Sequence, residues 1–401
     1  MRLHPYLQLN TTLFFLLSLL SLGIHAQEAA ELITIGEKQI FHSNVLNEDR
    51  ELWVYKPPSY SSADSHRYAV IYLLDASYQF HHITGIVEFL VANDRIPETI
   101  VVALPNTDRT RDLTPPTQTD STHAFPSAGG ADNFLNFLAD ELIPYVDATF
   151  RTFPHRTLVG HSFGGLFAIY SLLHRPEVFN NYIATSPSLW WNDAKLVSNA
   201  KSLLEKNLDD APRYLYMTMG DEGGNMLGSA WRLSAILEEN APDSFQWNFK
   251  LMDKETHGSI PHKSTYQALE AIYSDWQIPD IIQLVKNHGI EAVDKHYVML
   301  SKKYGHTIST PERVINQLGY WYLSEGETET AIHLFLRNVK IYPSSANVYD
   351  SLADAYKANH QLNLAKDHYK KAVEIAEATL HPNLEVYKSN LKDIEKRINS
   401  K

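Results

Sequence analysis

Thr157-Leu158-Val159-Gly160-His161-Ser162-Phe163-Gly164-Gly165-Leu166-Phe167-Ala168-Ile169-Tyr170 is the stretch on which the fold turns. Three residues of strand character run into a G-x-S-x-G pentapeptide, which opens a run of helical character. Strand, sharp turn and helix in that order is the local geometry of a nucleophile elbow. Its glycines permit a turn tight enough to push Ser162 into a strained, exposed position. The pentapeptide alone recurs by chance; its flanks make it informative.

Working outward, Tyr68 to Leu74 and Thr99 to Leu104 are continuous apolar runs of strand length, as strands covered on both faces should be. Helical spacing between them, His82 to Val91, makes a βαβ unit. Ala131 to Phe150 reads as a helix with Phe134, Phe137, Leu138, Leu142 and Ile143 on one face. Beyond the elbow come strands near Tyr182 to Thr185, Tyr214 to Met219 and Phe245 to Met252, with a helix at Leu227 to Glu239. Leu32 to Tyr55 reads as two or three antiparallel strands. The expected fold class is therefore α/β: a mostly parallel sheet with helices on both faces and its site at the carboxyl ends of the strands.

After Pro279 the pattern becomes helical only. An offset of 34 pairs Leu318 with Leu352, Tyr322 with Tyr356, Ala331 with Ala365 and Phe335 with Tyr369, which is the tetratricopeptide period. Helices within Ile281 to Tyr304 and Asn383 to Ile398 are expected to cap the two units. At the other end, Met1 to Gln27 has a basic start at Arg2, an apolar run from Leu13 to Leu22 and a small-residue cleavage pattern at Ile24-His25-Ala26. That is the anatomy of an export signal, and the run is too short for a comfortable membrane span. The expected organisation is a signal peptide over 1–27, an α/β-hydrolase domain over 28–279 and a small helical domain over 280–401, exported to a periplasm or secreted, with no stable membrane anchor after cleavage.

Composition narrows the chemistry. The chain has 401 residues, 44% hydrophobic, with a formal charge of −12. This length carries a large core, and the acidic balance argues against unaided binding to nucleic acid or anionic lipid. There is no cysteine, which excludes disulfides, a thiol nucleophile and Cys-ligated zinc.

Serine needs a base within hydrogen-bond reach. Among 19 histidines, His257 follows the last expected strand, where the base falls in the order serine, acid, histidine; His262 is its neighbour and rival. The acid should follow the preceding strand, where Asp221 and Glu222 are adjacent; Glu222 is chosen, with Asp221 and an acid-free Ser-His pair as alternatives. Backbone N–H groups of Phe163 and Ala76 are the expected oxyanion donors. Trp190, Trp191, Tyr78 and Phe80 suggest an apolar or aromatic group in the substrate. No metal and no organic cofactor is called for.

Taken together, Val70 to Asp75, Arg111-Asp112-Leu113-Thr114-Pro115, Gly129-Gly130-Ala131, Glu141 to Pro144, Gly160 to Gly165, Ser186 to Trp191 and His257-Gly258-Ser259 make the chain resemble the putative-esterase branch of the α/β-hydrolases, which is esterase D-like and related to ferric enterobactin esterases. The resemblance spans about Leu32 to Pro279. It implies Ser162 as acylated nucleophile, His257 as base, and Ser188 to Trp191 near the substrate mouth. Relatives place an acid three residues past the strand-end glycine, where this chain has Gly223. The expected function is hydrolysis of a small-molecule carboxylic ester through an acyl-enzyme. Alternatives are an acyltransferase of the same fold, or a non-catalytic scaffold binding a protein partner through the helical repeats.

Overall fold

The structure is a computed structural model that describes residues 32–60, 66–117 and 125–400. The expected signal peptide lies outside them. Eight strands form one sheet in the order β1-β2-β4-β3-β5-β6-β7-β8. They are β1 (Glu37–Ser43), β2 (Glu48–Tyr55), β3 (Tyr68–Leu73), β4 (Thr99–Ala103), β5 (Thr152–His161), β6 (Asn181–Thr185), β7 (Arg213–Gly220) and β8 (Phe245–Met252). Only β1 with β2 and β2 with β4 pair antiparallel; β4, β3, β5, β6, β7 and β8 run parallel.

Strand pleating sorts side chains into two cores. In β3, Tyr68, Val70 and Tyr72 face one core, and Ala69, Ile71 and Leu73 face the other. The first core is closed by α3 (Ala131–Asn136), a π segment (Phe137–Leu142), α4 (Ile143–Thr149), α5 (Phe163–His174), α6 (Trp191–Asn207) and α7 (Gly224–Asn240). The single helix expected over Ala131 to Phe150 thus contains a wide turn. Pro144, just beyond it, has no N–H to return to the carbonyl of Asp140, so the ordinary helical ladder is interrupted there.

On that side Arg50 is fully buried and ion-paired to Asp112 at 2.7 Å and Glu48 at 2.8 Å. Arg111 bonds the same two carboxylates. The Arg111-Asp112 dipeptide therefore joins α2 (Arg109–Leu113) to β2. A buried charge persists only when paired in this way.

The second core begins under α1 (Ala76–Ala92) and α8 (Ile260–Ile272) and continues without interruption into the tail. Ile281 and Val285 of α9 (Ile281–His288), Val293, Tyr297, Leu300 and Tyr304 of α10 (Glu291–Tyr304), and Ile315 and Leu318 of α11 (Glu312–Ser324) belong to the cluster that contains Ile71 and Val101. Buried His155 on β5 meets Asn181 at 2.9 Å and the edge of Tyr304 at 4.7 Å between centroids, and His306 stacks on Phe153 at 3.7 Å. Pro279 thus marks a change of composition but not a break in packing.

Four more helices follow: α12 (Thr328–Ile341), α13 (Ala346–Ala358), α14 (Leu362–Ala378) and α15 (Leu384–Asn399). Of the residues paired at the 34-residue offset, Leu318, Leu352, Ala331, Ala365, Phe335 and Tyr369 are buried. At Gly319 a Cβ would stand 2.5 Å from the ring of Phe335, so α11 and α12 meet closely there. Among the described residues no helix is long and apolar enough to cross a membrane.

Two outcomes follow from this packing. A chain ending at Pro279 strips the second core of α9 to α11 and should aggregate or melt far below the full chain. One ending at Ser345, which keeps those helices, should retain a cooperative transition. Equal melting of the full chain and the Pro279 truncation would contradict the continuous core. Burial also pushes His82 and His161 down to about 4 and His155 down to about 3. The unfolded chain protonates these rings near their ordinary value of 6.5, so it binds more protons than the folded chain as pH drops below that value, and stability is lost. Asp350, raised to about 6 by burial, acts in the opposite sense on its own. Thermal midpoints should therefore fall between pH 7 and pH 5, and an unchanged midpoint would contradict the histidine assignment.

Candidate active site

β5 ends at His161 and α5 starts at Phe163, leaving Ser162 alone between them at φ 60°, ψ −116°. A non-glycine residue held there costs about 1–3 kcal/mol. What holds it is the crossing of strand and helix. A Cβ on Gly160 would stand 2.1 Å from the Gly164 carbonyl oxygen, and one on Gly165 would stand 3.0 Å from Pro187 Cα. Only hydrogen fits at Gly160. The Ser162 N–H donates to the Thr185 carbonyl at 3.0 Å, tying the turn to β6. Phe163 opens α5, so its N–H is among the helix's unsatisfied first-turn donors, beside the serine.

His257 and Glu222 come together from the turns that follow β8 and β7. His257 Nδ1 lies 2.6 Å from Glu222 Oε2. An ionised carboxylate only accepts, so Nδ1 carries the proton and Nε2 of the neutral ring is left with a lone pair. The adjacent candidates are elsewhere. Asp221 is exposed, and its N–H donates to the Glu255 carbonyl at 2.8 Å. His262 is exposed on α8, with its ring 5.5 Å from that of His82. His161 packs its ring 4.5 Å from His257. Burial, with His257 beside it, holds His161 neutral at ordinary pH. The hydrogen bond of Ser162 Oγ runs to Ser188 Oγ at 3.3 Å.

The oxyanion side departs from the sequence expectation. Ala76 does not offer its N–H, which donates to the Leu104 carbonyl at 3.1 Å and so closes β4 onto the start of α1. The next N–H, that of Ser77, has no acceptor among the described residues. Side-chain identities carry no information on where an N–H points. Asp75, left-handed at φ 56° and buried, precedes this turn. Its carboxylate accepts from Asn106 Nδ2 at 2.6 Å and from Arg109 Nε and Nη2 at 2.6 and 3.0 Å. Arg109 Nη2 also reaches the His161 carbonyl at 3.2 Å, and its guanidinium lies 5.4 Å from the Phe163 ring centroid. One part-buried ion pair thereby joins the turn after β3 to the elbow. The sequence signal for it was present in Asp75 at the end of an apolar strand, but Arg109 lay outside the recognised pieces.

The expected substrate aromatics separate. Trp191 is 2% exposed, and its Nε1 donates to the Pro115 carbonyl at 3.0 Å, so it is a wall of the core rather than a free contact. Asn192, Asp193 and Ala194, which follow it, all have positive φ. Phe80 is buried in the second core and meets Trp53 edge-on. Trp190 is half-buried at 6.2 Å from Phe163, and Tyr78 is 82% exposed on the first turn of α1. Phe125, which the sequence did not single out, packs edge-on against both Phe163 and Trp191. Among the described residues no group of three or more His, Asp or Glu side chains is disposed to hold a metal ion.

The sequence profile described as putative esterase matches residues 43–269. The ferri-bacillibactin esterase of Bacillus subtilis is 33% identical over 194 residues, 43% of this chain and 67% of that protein. The siderophore triacetylfusarinine C esterase of Aspergillus fumigatus is 43% identical over 99 residues, 24% of this chain; the match takes in only 32% of that relative. For the siderophore enterobactin esterase of Emericella nidulans the share of the relative is 41%, so both fungal matches span less than half of their partners. Among solved structures, an IroE-like serine hydrolase from Shewanella oneidensis superposes with a TM-score of 0.66 at 26% identity, covering 76% of this chain and 99% of its own. An uncharacterised protein from Capnocytophaga ochracea shares the fold over 90% of this chain and 99% of its own, with a TM-score of 0.60 at 16% identity. With the profile matching more than half of its length, the chain belongs to the putative esterase family.

Proposed function

We propose that the protein is a serine hydrolase that cleaves a carboxylic ester through an acyl-enzyme on Ser162. The observation that carries this reading is the Glu222–His257 hydrogen bond of 2.6 Å, which leaves Nε2 as the base on a ring 4.5 Å from that of His161, the residue before the strained serine. His257 Nε2 takes the Ser162 hydroxyl proton as Oγ attacks the ester carbonyl carbon. Charge develops on the carbonyl oxygen, where the N–H groups of Phe163 and Ser77 are the candidate donors. Collapse breaks the ester bond, and His257 returns its proton to the departing alcohol. Water then repeats the sequence and frees the acid. Glu222 keeps the imidazole in the required tautomer and balances its charge in both transition states.

Half-buried Trp190 and the adjacent Phe125–Phe163 pair support an apolar or aromatic group in the substrate. The relatives that are siderophore esterases support a siderophore ester as its class. The basic start and apolar run within residues 1–27 support export to a periplasm or beyond. The 34-residue spacing supports reading α11 to α14 as two tetratricopeptide-like units, a surface suited to a protein partner. In this reading 28–279 carry the chemistry and 280–401 the helical module, joined through a shared core.

Ser162→Ala and His257→Ala should each lower kcat on activated aryl esters by several orders of magnitude with the thermal midpoint kept, because the pair acts as a unit. Glu222→Ala should cost less than either, and Asp221→Ala should leave turnover near that of the unaltered protein. Normal turnover in Ser162→Ala sinks the mechanism, and a larger loss with Asp221→Ala than with Glu222→Ala reverses the acid.

A further inference from the structure

Glu222 carries its carboxylate one methylene further from the backbone than an aspartate would. A longer side chain has one more rotatable bond, so a carboxylate at its end needs more fixing before it can orient an imidazole. The structure supplies that fixing from a neighbouring loop. Ser186 Oγ donates to Glu222 Oε1, the oxygen that does not face His257. The Gly220 N–H reaches both Ser186 Oγ and Glu222 Oε1 at 3.3 Å. With Oε1 held, Oε2 is the oxygen directed at His257 Nδ1. Gly220 leaves the room: a Cβ there would stand 3.1 Å from Oε1 and 2.7 Å from the Glu255 carbonyl oxygen.

Ser186 is fully buried and sits at φ 40°, a backbone region where glycine is far easier to place than serine. Its N–H donates to the Thr218 carbonyl at 2.8 Å, a bond that a glycine would make equally well. What serine adds is the hydroxyl, and the partners of that hydroxyl are Glu222 and Gly220. The same loop reaches the nucleophile two residues on, where the Ser188 N–H donates to the Ser162 carbonyl at 3.1 Å. Ser186 to Ser188 therefore touches the acid with one end and the nucleophile with the other.

We infer that Ser186 is a positioning residue that makes Glu222, with its longer side chain, competent as the third member of the catalytic set. The inference rests on the esterase reading above. Losing one charge-assisted hydrogen bond corresponds to roughly a 10- to 100-fold change in rate.

The test uses the full-length chain with Ser186→Gly, Ser186→Ala, Glu222→Ala and the Glu222→Ala/Ser186→Gly double variant, assayed for kcat, KM and thermal midpoint on one aryl ester. Ser186→Gly relieves the backbone and should keep or raise the midpoint, yet kcat should fall roughly 10- to 100-fold with KM nearly unchanged. Ser186→Ala should lose a similar factor in kcat. The double variant should be no slower than Glu222→Ala alone, because the hydroxyl acts only through that carboxylate. Wild-type kcat in Ser186→Gly, or a second full loss in the double variant, overturns the inference while leaving the esterase reading intact. Absence of turnover in the unaltered protein overturns both.

Discussion

The crossing of β5 and α5 at Gly160 and Gly164 is the constraint from which the rest of the site follows. The two backbones approach so closely that a methyl group at Gly160 would overlap the Gly164 carbonyl oxygen at 2.1 Å. That approach forces Ser162 to φ 60° and projects it from the carboxyl edge of the sheet, while the helix start places N–H groups beside it. Each neighbouring loop then brings something to that fixed point. The turns after β7 and β8 deliver Glu222 and His257, the turn after β6 delivers Ser186 and Ser188, and the turn after β3 delivers Asp75 and Ser77. Parallel pairing from β4 to β8 makes this convergence possible, since all these strands end on the same side.

Charge is distributed to serve the same end. The Asp75–Arg109 pair is bidentate, and its aspartate is buried, so its rigidity outweighs the modest value of exposed ion pairs. By also holding the His161 carbonyl, Arg109 couples the turn after β3 to the elbow. His161, kept neutral by burial, adds bulk beneath His257 without competing for its proton. The second core then fastens α1 and α8, the helices that adjoin Ser77 and His257, to the helical tail.

Much of this was legible before the structure. The elbow could be read from 157–170 because its glycines, apolar strand and helix start are all side-chain identities. His257 followed from chain order. Glu222 was ambiguous against Asp221, since the choice depends on how the turn after Gly220 aims two adjacent carboxylates. Ala76 was the wrong donor because a backbone N–H leaves no mark in the sequence; the Leu104 carbonyl claims it. Trp191 is buried with its Nε1 on the Pro115 carbonyl, a partner 76 residues away that the sequence does not announce. At Pro279 the composition changes while burial continues, so a sequence boundary fell where no packing boundary exists. Ser186 was quoted as part of a recognised motif, but its task depends on a partner 36 residues away.

The central claim is that Ser162 is an activated nucleophile. It is tested most directly by treating the full-length protein with a fluorophosphonate and reading the intact mass and the modified peptide, beside an identically treated Ser162→Ala control. One adduct per chain is expected, on Ser162 and absent from the control. An unmodified protein under conditions that label a serine esterase, or an adduct on another serine, would contradict it.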